Sequence, residues 1–430
     1  MQRVMIPELA HDPRLVQLPV ERDALMLQSS GWLRVARTIL WAIIVTASVK
    51  PNEVLGMGEQ VVTDASSPID LAFRCAVFAG CIFATFIALV AGRIRMATLC
   101  FVPFLVWGVL VSIGQQASLS SCKQLGSYAT WVLFLISACA LFDQKEDYSN
   151  LRVAGVLSVA ASAMGGIIQH VLGHAPMIGL LWENMGFTRV HTGAGGILLD
   201  ACTPYIAALL LFASVGKRPI LLFGGILLAL WGSGNILRGG MIGLTIAMVW
   251  LMIVAPGETR RRLVTAAAGI AILVAVVFGG DFEKKSVTSD DEINTSGRIE
   301  NWPELIGWIH QSPIWGHGPN ADMELLAKSE GSGSDLRVSH NELLSTAVNY
   351  GLVGAALLWC PLLLLLFVTL RLTFKYRLAR PEPLLAASGV LLMLVSLSFT
   401  DNTLRSPGIM ILTLAPLAVA FNWCLRFQSA

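Results

Sequence analysis

The sequence predicts an all-α integral membrane protein of about twelve transmembrane helices, with one large outer loop that contains interfacial helices. Three observations carry that prediction. Of the 430 residues, 55% are hydrophobic and 13% charged, and the mean hydropathy of +0.68 lies far above that of a soluble domain. Apolar runs of roughly 20 residues, the length a helix needs to cross about 30 Å of hydrocarbon, recur along almost the whole chain. The basic residues between those runs are also sorted: alternate connections carry at least two, and the others about one.

Residues 1–31 hold Pro7, Pro13 and Pro19 among charged side chains and lack a continuous apolar core, so they read as a cytoplasmic tail and not a signal peptide. Spans are expected at 32–49, 69–91, 96–116, 125–142, 153–172, 195–216, 219–236, 239–255 and 263–280, which makes residues 32–280 a first membrane unit of nine helices. Residues 281–340 form the large outer loop, and 341–370, 384–400 and 409–425 supply the last three spans within residues 341–430. The doubly basic connections are Arg93/Arg95, residues 145–152, Lys217/Arg218, Arg260 to Arg262 and residues 371–380. Placed inside by the positive-inside rule, they put both termini in the cytoplasm and the long loop on the outer face.

Cysteine usage excludes a disulfide scaffold. Cys75, Cys81, Cys100, Cys139, Cys202, Cys360 and Cys424 fall inside apolar runs, where a reduced thiol behaves as a small hydrophobe, and only Cys122 falls in an outer connection. The long loop divides in two. Residues 284–296 are charged and rich in Ser, Thr and Asp, whereas Trp302, Leu305, Ile306 and Ile309 recur at helical spacing with Trp308 nearby. That stripe predicts a helix lying in the membrane interface, with Pro303 in its first turn.

Four arginines stand on the outer side against the charge bias: Arg189, Arg238, Arg298 and Arg405. Interfacial snorkelling, or a salt bridge to a carboxylate such as Glu183 or Asp401, explains such residues structurally; anion binding explains them functionally. Ser339 and Glu342 have the spacing of a capping box, which would start the tenth span at His340 and Asn341. An imidazole at that helix start is held neutral by the positive end of the dipole and can accept a proton. Gly351 and Gly354 follow on the same face, where they would let a helix or a lipid chain approach closely; the plain reading of that pair is helix packing.

His170, His174, His191, His310 and His317 also lie near outer span ends or the loop helix, but none has a zinc-ligand spacing, and no phosphate loop, nucleophile elbow or glycosidase carboxylate pair occurs. No metal, cofactor or nucleic-acid partner is expected. A cationic site of this kind suits a lipid-linked diphosphate, because paired guanidinium groups neutralise the leaving diphosphate by bidentate hydrogen bonds while a neutral base deprotonates an acceptor hydroxyl. Arg189 and Arg238 are placed for the first task and His340 for the second.

The pattern His340-Asn341, nine residues, then Gly351-Leu352-Val353-Gly354 resembles the H-N-x9-G-x-x-G element of the O-antigen ligase and polymerase superfamily. Residues 296–302 (Ser-Gly-Arg-Ile-Glu-Asn-Trp) and 312–318 (Ser-Pro-Ile-Trp-Gly-His-Gly) look like that superfamily's R-x-x-x-W and P-x-x-G-x-G segments, and Arg189 and Arg238 match places where it keeps outer arginines. The resemblance implies a metal-independent, inverting glycosyltransferase of the membrane C-type class in a bacterial inner membrane. Its donor would be an undecaprenyl-diphosphate-linked glycan and its acceptor lipid A-core, with lipopolysaccharide as the product; the polymerase alternative extends a lipid-linked glycan. His340 is then the catalytic residue, Arg189 and Arg238 bind diphosphate, and Arg298, Asn341 and His317 bind substrate or support the site. Leu237 stands where many relatives have serine before the outer arginine. A transporter is the reading from a different class; it would place ionisable groups at mid-membrane, where Arg74 and Asp200 are the candidates.

Overall fold

The computed structural model describes residues 21–47, 68–118, 121–143, 146–154, 157, 238–254, 257, 260–261, 301–329, 339, 341–377, 382–399 and 402–429. The described residues are helical, with no strand among them. The helices are α1 (Glu21–Thr46), α2 (Pro68–Val90), α3 (Val102–Gly114, led in by a 3-10 turn Met96–Leu99), α4 (Cys122–Leu141), α5 (Arg238–Val254), α6 (Trp302–Gln311), α7 (Ala321–Ser329), α8 (Glu342–Lys375), α9 (Glu382–Ser398) and α10 (Pro407–Ser429).

Among the described residues five segments are long and apolar enough to cross a membrane: Leu71–Val90, Met96–Gly114, Cys122–Leu141, Glu342–Lys375 and Pro407–Leu425. They correspond to five of the expected spans. The expected spans at 32–49, 239–255 and 384–400 coincide with α1, α5 and α9, and those at 153–172, 195–216, 219–236 and 263–280 lie wholly or almost wholly outside the described residues. α1 starts at Glu21, inside the segment expected to be a tail, because residues 21–28 are good helix formers and nothing before Gly31 breaks the run.

α4 and α10 form the centre. Tyr128, Trp131, Phe134, Phe101, Phe104 and Tyr350 are fully buried there, and Phe104, Tyr128 and Tyr350 meet edge-on with ring centroids 5.1–6.2 Å apart. α2 packs on α4 from one side, α9 on α10 from another, and α5 on α9. Polar side chains inside these apolar helices are satisfied locally. The buried hydroxyls of Ser137, Ser398 and Thr413 each donate to the carbonyl four residues back, at 2.8–2.9 Å.

Two ends of the bundle are distinguishable along α4, a helix about 30 Å long. At its C-terminal end Arg93 pairs with Asp143 at 2.7 Å, Arg37 pairs with Asp147, and Arg95 donates to Asn422 Oδ1 at 3.0 Å. The first turn of α8 and the loop helices α6 and α7 gather at the other end, where Gln115, Ser121 and Gln124 reach them.

Candidate functional site

α6 carries Pro303 in its first turn, as the sequence reading expects, and buries one side against α7 and α8. Leu305, Leu326 and Val348 form the small core between them, flanked by Trp302, Trp308, Ile309, Leu325 and Leu344. Ile306, assigned to the same stripe, is instead 45% exposed. At helical spacing Trp302, Leu305 and Ile309 share one direction, while Ile306 sits on the flank of that stripe.

The start of α8 differs from the expected capping box. Asn341 is the N-cap: its backbone is extended (φ −150°, ψ 105°) and its Oδ1 accepts from Leu344 N at 3.1 Å. Ser339 turns away, donating from Oγ to Asn402 Oδ1 at 3.1 Å before α10. Glu342 does not fold back onto the helix start either. It is fully buried, and its Oε1 accepts from Tyr128 OH at 2.6 Å. A capping box needs both side chains free to face the backbone, and here each has a stronger partner in a neighbouring element.

Those partners belong to a buried cluster. Asp322, in the first turn of α7, accepts from Arg405 Nη2 at 2.5 Å and from Ser345 Oγ at 2.9 Å. Asn349 Nδ2 donates to Asp322 Oδ1 at 3.0 Å, and Asp322 N donates back to Asn349 Oδ1 at 2.9 Å. Arg405 Nε lies 3.8 Å from Glu342 Oε1. One guanidinium thus answers two carboxylates on two helices. Burial on its own lowers the Arg405 pKa, but Asp322, Glu342 and Tyr128 together outweigh it and the net shift is upward. The salt bridge expected for Arg405 is present, with Asp322 and Glu342 as its carboxylates; Asp401 and Glu183 lie outside the described residues. Asp322 carried no signal in the sequence, and Glu342 was singled out there only as a capping-box residue.

Below this cluster α8 is broken. Gly351 has φ 70° and ψ 177°, and a Cβ on it would overlap the carbonyl of Ile314. A Cβ on Gly316 would in turn lie 2.5 Å from Gly351 N. The turn at 313–318 is therefore pressed backbone to backbone into the gap. It satisfies groups that the break frees: Leu352 N donates to Pro313 O at 2.7 Å, His317 N to Val348 O at 2.9 Å and Gly318 N to Asn349 O at 2.9 Å. Trp107 Nε1 takes Tyr350 O at 2.8 Å.

The packing role expected for the glycine pair accordingly divides. Gly351 admits a loop, whereas Gly354 faces the Trp107 indole of α3, 3.1 Å from where its Cβ would stand. Two of the stretches that carry the sequence resemblance, 312–318 and 351–354, are locked together in space.

Of the other expected site residues, His317 points its Nε2 at Trp308 O, 2.8 Å away, which ties the turn to α6. Because a carbonyl only accepts, that nitrogen carries the proton. Arg238 opens α5 as its first residue. Arg189, Arg298 and His340 lie outside the described residues, although His340 is flanked by the buried Ser339 and Asn341. Arg74 lies in the second turn of α2, on an exposed position near the helix end. Among the described residues no group of three or more His, Cys, Asp or Glu could hold a metal ion.

The described residues thus form a helical protein with several helices apolar enough to span a membrane, and the turn at 313–318 is built into the head of one of them. Residues 206–359 match the family described as O-Antigen ligase, which supports membership of the O-antigen ligase and polymerase superfamily. A comparison with curated proteins finds no match. The matched stretch includes Arg238, Arg298, His317, His340, Asn341 and both glycines of the broken helix; Arg189 and Arg405 fall outside it.

Proposed function

We propose that the protein is an O-antigen ligase, transferring a glycan from undecaprenyl diphosphate to a sugar hydroxyl of lipid A-core at the periplasmic face of the inner membrane. The observation that carries this reading is the family match over residues 206–359, within which His340 stands between two pinned residues at the head of α8. The end of the bundle holding Arg37, Arg93, Arg95 and Lys375 is the more basic and is assigned to the cytoplasm, which leaves the head of α8 outside.

His340 is the general base. It takes the proton of the acceptor hydroxyl as that oxygen attacks the anomeric carbon. The bond from carbon to the diphosphate oxygen breaks with inversion, and the electron pair leaves on undecaprenyl diphosphate. Arg189 and Arg238 neutralise that diphosphate. Arg405 is not assigned to this clamp, since Asp322 and Glu342 already match its charge.

Purified protein supplied with lipid-linked glycan and lipid A-core tests the assignment. His340→Ala is expected to lower transfer by about 10²–10⁴-fold. Arg189→Ala and Arg238→Ala should each weaken donor use by about 1.5–3 kcal/mol. Near-normal turnover by His340→Ala refutes the base. Longer chains formed from lipid-linked glycan alone, with no lipid A-core present, identify a polymerase instead.

A further inference from the structure

The turn at 312–318 belongs in sequence to the long polar loop, yet it presents its apolar side chains outward. Ile314 is 57% exposed and Trp315 49% exposed, and Trp315 stacks on Trp107 of α3 with centroids 4.7 Å apart. Beside them Leu352 is 55% exposed, and the belt continues down α8 through Leu363, Leu364 and Phe367. A water-facing loop has no reason to line up its apolar residues with the lipid-facing side of a spanning helix.

The depth of the turn follows from α8. From Leu352 to Leu370 the helix is uninterrupted by charge and its length is roughly 28 Å, close to the thickness of the hydrocarbon core. Above it, the first turns carry Glu342, Ser345, Thr346, Asn349 and Tyr350, all buried in protein. Gly351, where the turn plugs in, thus falls at the hydrocarbon boundary, the level at which tryptophan rings are favoured. Irregular backbone survives there only if its polar groups are paired within the protein. Much of the turn's backbone is so paired: besides the bonds that mend α8, Gly316 N donates to Ser312 O at 3.0 Å, and Gly316 O accepts from Gln115 Nε2 at 3.0 Å and Ser312 Oγ at 2.9 Å.

We infer that residues 312–318 are a re-entrant element of the membrane domain whose Ile314 and Trp315 side chains contact bilayer lipid at the outer hydrocarbon boundary. The partner is phospholipid, because the exposed strip is continuous with the lipid-facing side of α8 and with exposed Val109, Leu110 and Ile113 of α3. This inference is independent of the reaction the protein catalyses.

Photo-crosslinking of the full-length protein in phospholipid vesicles tests it. A benzophenone amino acid is placed at Ile314, at Leu364 as a mid-membrane reference and at exposed Glu304 as a reference away from the belt; a Trp315 replacement serves as second reporter. After irradiation, intact mass is expected to rise by one phospholipid at 314 with a yield comparable to that at 364, and to stay unchanged at 304. Crosslinked protein dimers at 314 would instead assign the strip to a second copy of the chain. A lipid yield at both 314 and 315 as low as at 304, with 364 labelled normally, would place the turn in water and overturn the inference.

Discussion

Two charge arrangements at opposite ends of the helix bundle, Arg93–Asp143 and the Arg405 cluster, differ in depth. At the end holding Arg93, the Arg93–Asp143 pair sits near the surface, its side chains 38% and 43% exposed, and joins the close of one helix to its neighbour, while the Arg37–Asp147 pair at the same end is largely buried. At the other end Arg405, Asp322 and Glu342 are withdrawn from solvent and join three segments far apart in sequence: the loop helix α7, the first turn of α8 and the approach to α10. The first arrangement trims a surface. The second decides where a loop helix and two helices of the bundle stand relative to one another. Hydrophobic packing fixes the helices of the core; for the polar head of the bundle, buried hydrogen bonds take over that task.

The sharpest test of this difference is Arg405→Met. Removing one partner strands buried Asp322 and Glu342 without their cation, a loss of about 3–5 kcal/mol. Thermal unfolding in detergent should show it, and pairing the change with Asp322→Asn should recover part of the loss in a double-mutant cycle. If Arg405→Met unfolds no more readily than a surface arginine variant, the contrast between the two ends fails.

Next in size is Gly351→Ala. The residue has positive φ, and its new methyl would overlap Ile314 O, so the turn at 313–318 must leave the break. A cost of about 3 kcal/mol is expected from the strained backbone and the lost seat. Gly126→Ala in α4, where a Cβ meets nothing within 4 Å, is the matched control and should be neutral or slightly stabilising. Equal melting temperatures for the two variants would show that the break is not fixed by its glycine.

Much of this was legible in the sequence, and the misses share one cause. Run length, charge sorting and the 302–309 stripe anticipate α2, α4, α6, α8 and α10, because each is a local pattern that its own residues decide. The Gly-x-x-Gly spacing was visible too, but its use was not. A glycine that packs helices and a glycine that breaks one carry the same letter, and only the arrival of Gly316 from a distant segment separates them. Ser339 and Glu342 show the same limit: their spacing satisfies a capping rule, and tertiary partners at Asn402 and Tyr128 override it. The residue that did become the cap, Asn341, was two residues from the expected choice and is among the residue types that favour that position.

That cap gives a smaller effect within the same polar head. Asn341→Ala removes the acceptor for Leu344 N and should cost about 1 kcal/mol, while Asn341→Asp, which keeps the acceptor, should cost less. Because Asn341 adjoins His340, transfer activity should fall further than stability in the alanine variant. A parallel fall in both would assign Asn341 to the fold alone.

The smallest effect belongs to the other end. Arg93 and Asp143 are bonded at 2.7 Å but both remain in contact with solvent, so the desolvation that makes Arg405 costly to remove is missing here. Arg93→Ala should change unfolding by no more than about 1 kcal/mol. Whatever difference appears in dilute buffer should shrink in about 1 M salt, where charges are screened within roughly 3 Å. The Arg405→Met loss should persist under the same conditions, because ions do not reach a pair enclosed by Tyr128, Ser345 and Asn349. A salt-insensitive loss at Arg93 would mean that the membrane, or a further segment of the chain, shields that end as well, and the distinction between a surface staple and a buried junction would have to be redrawn.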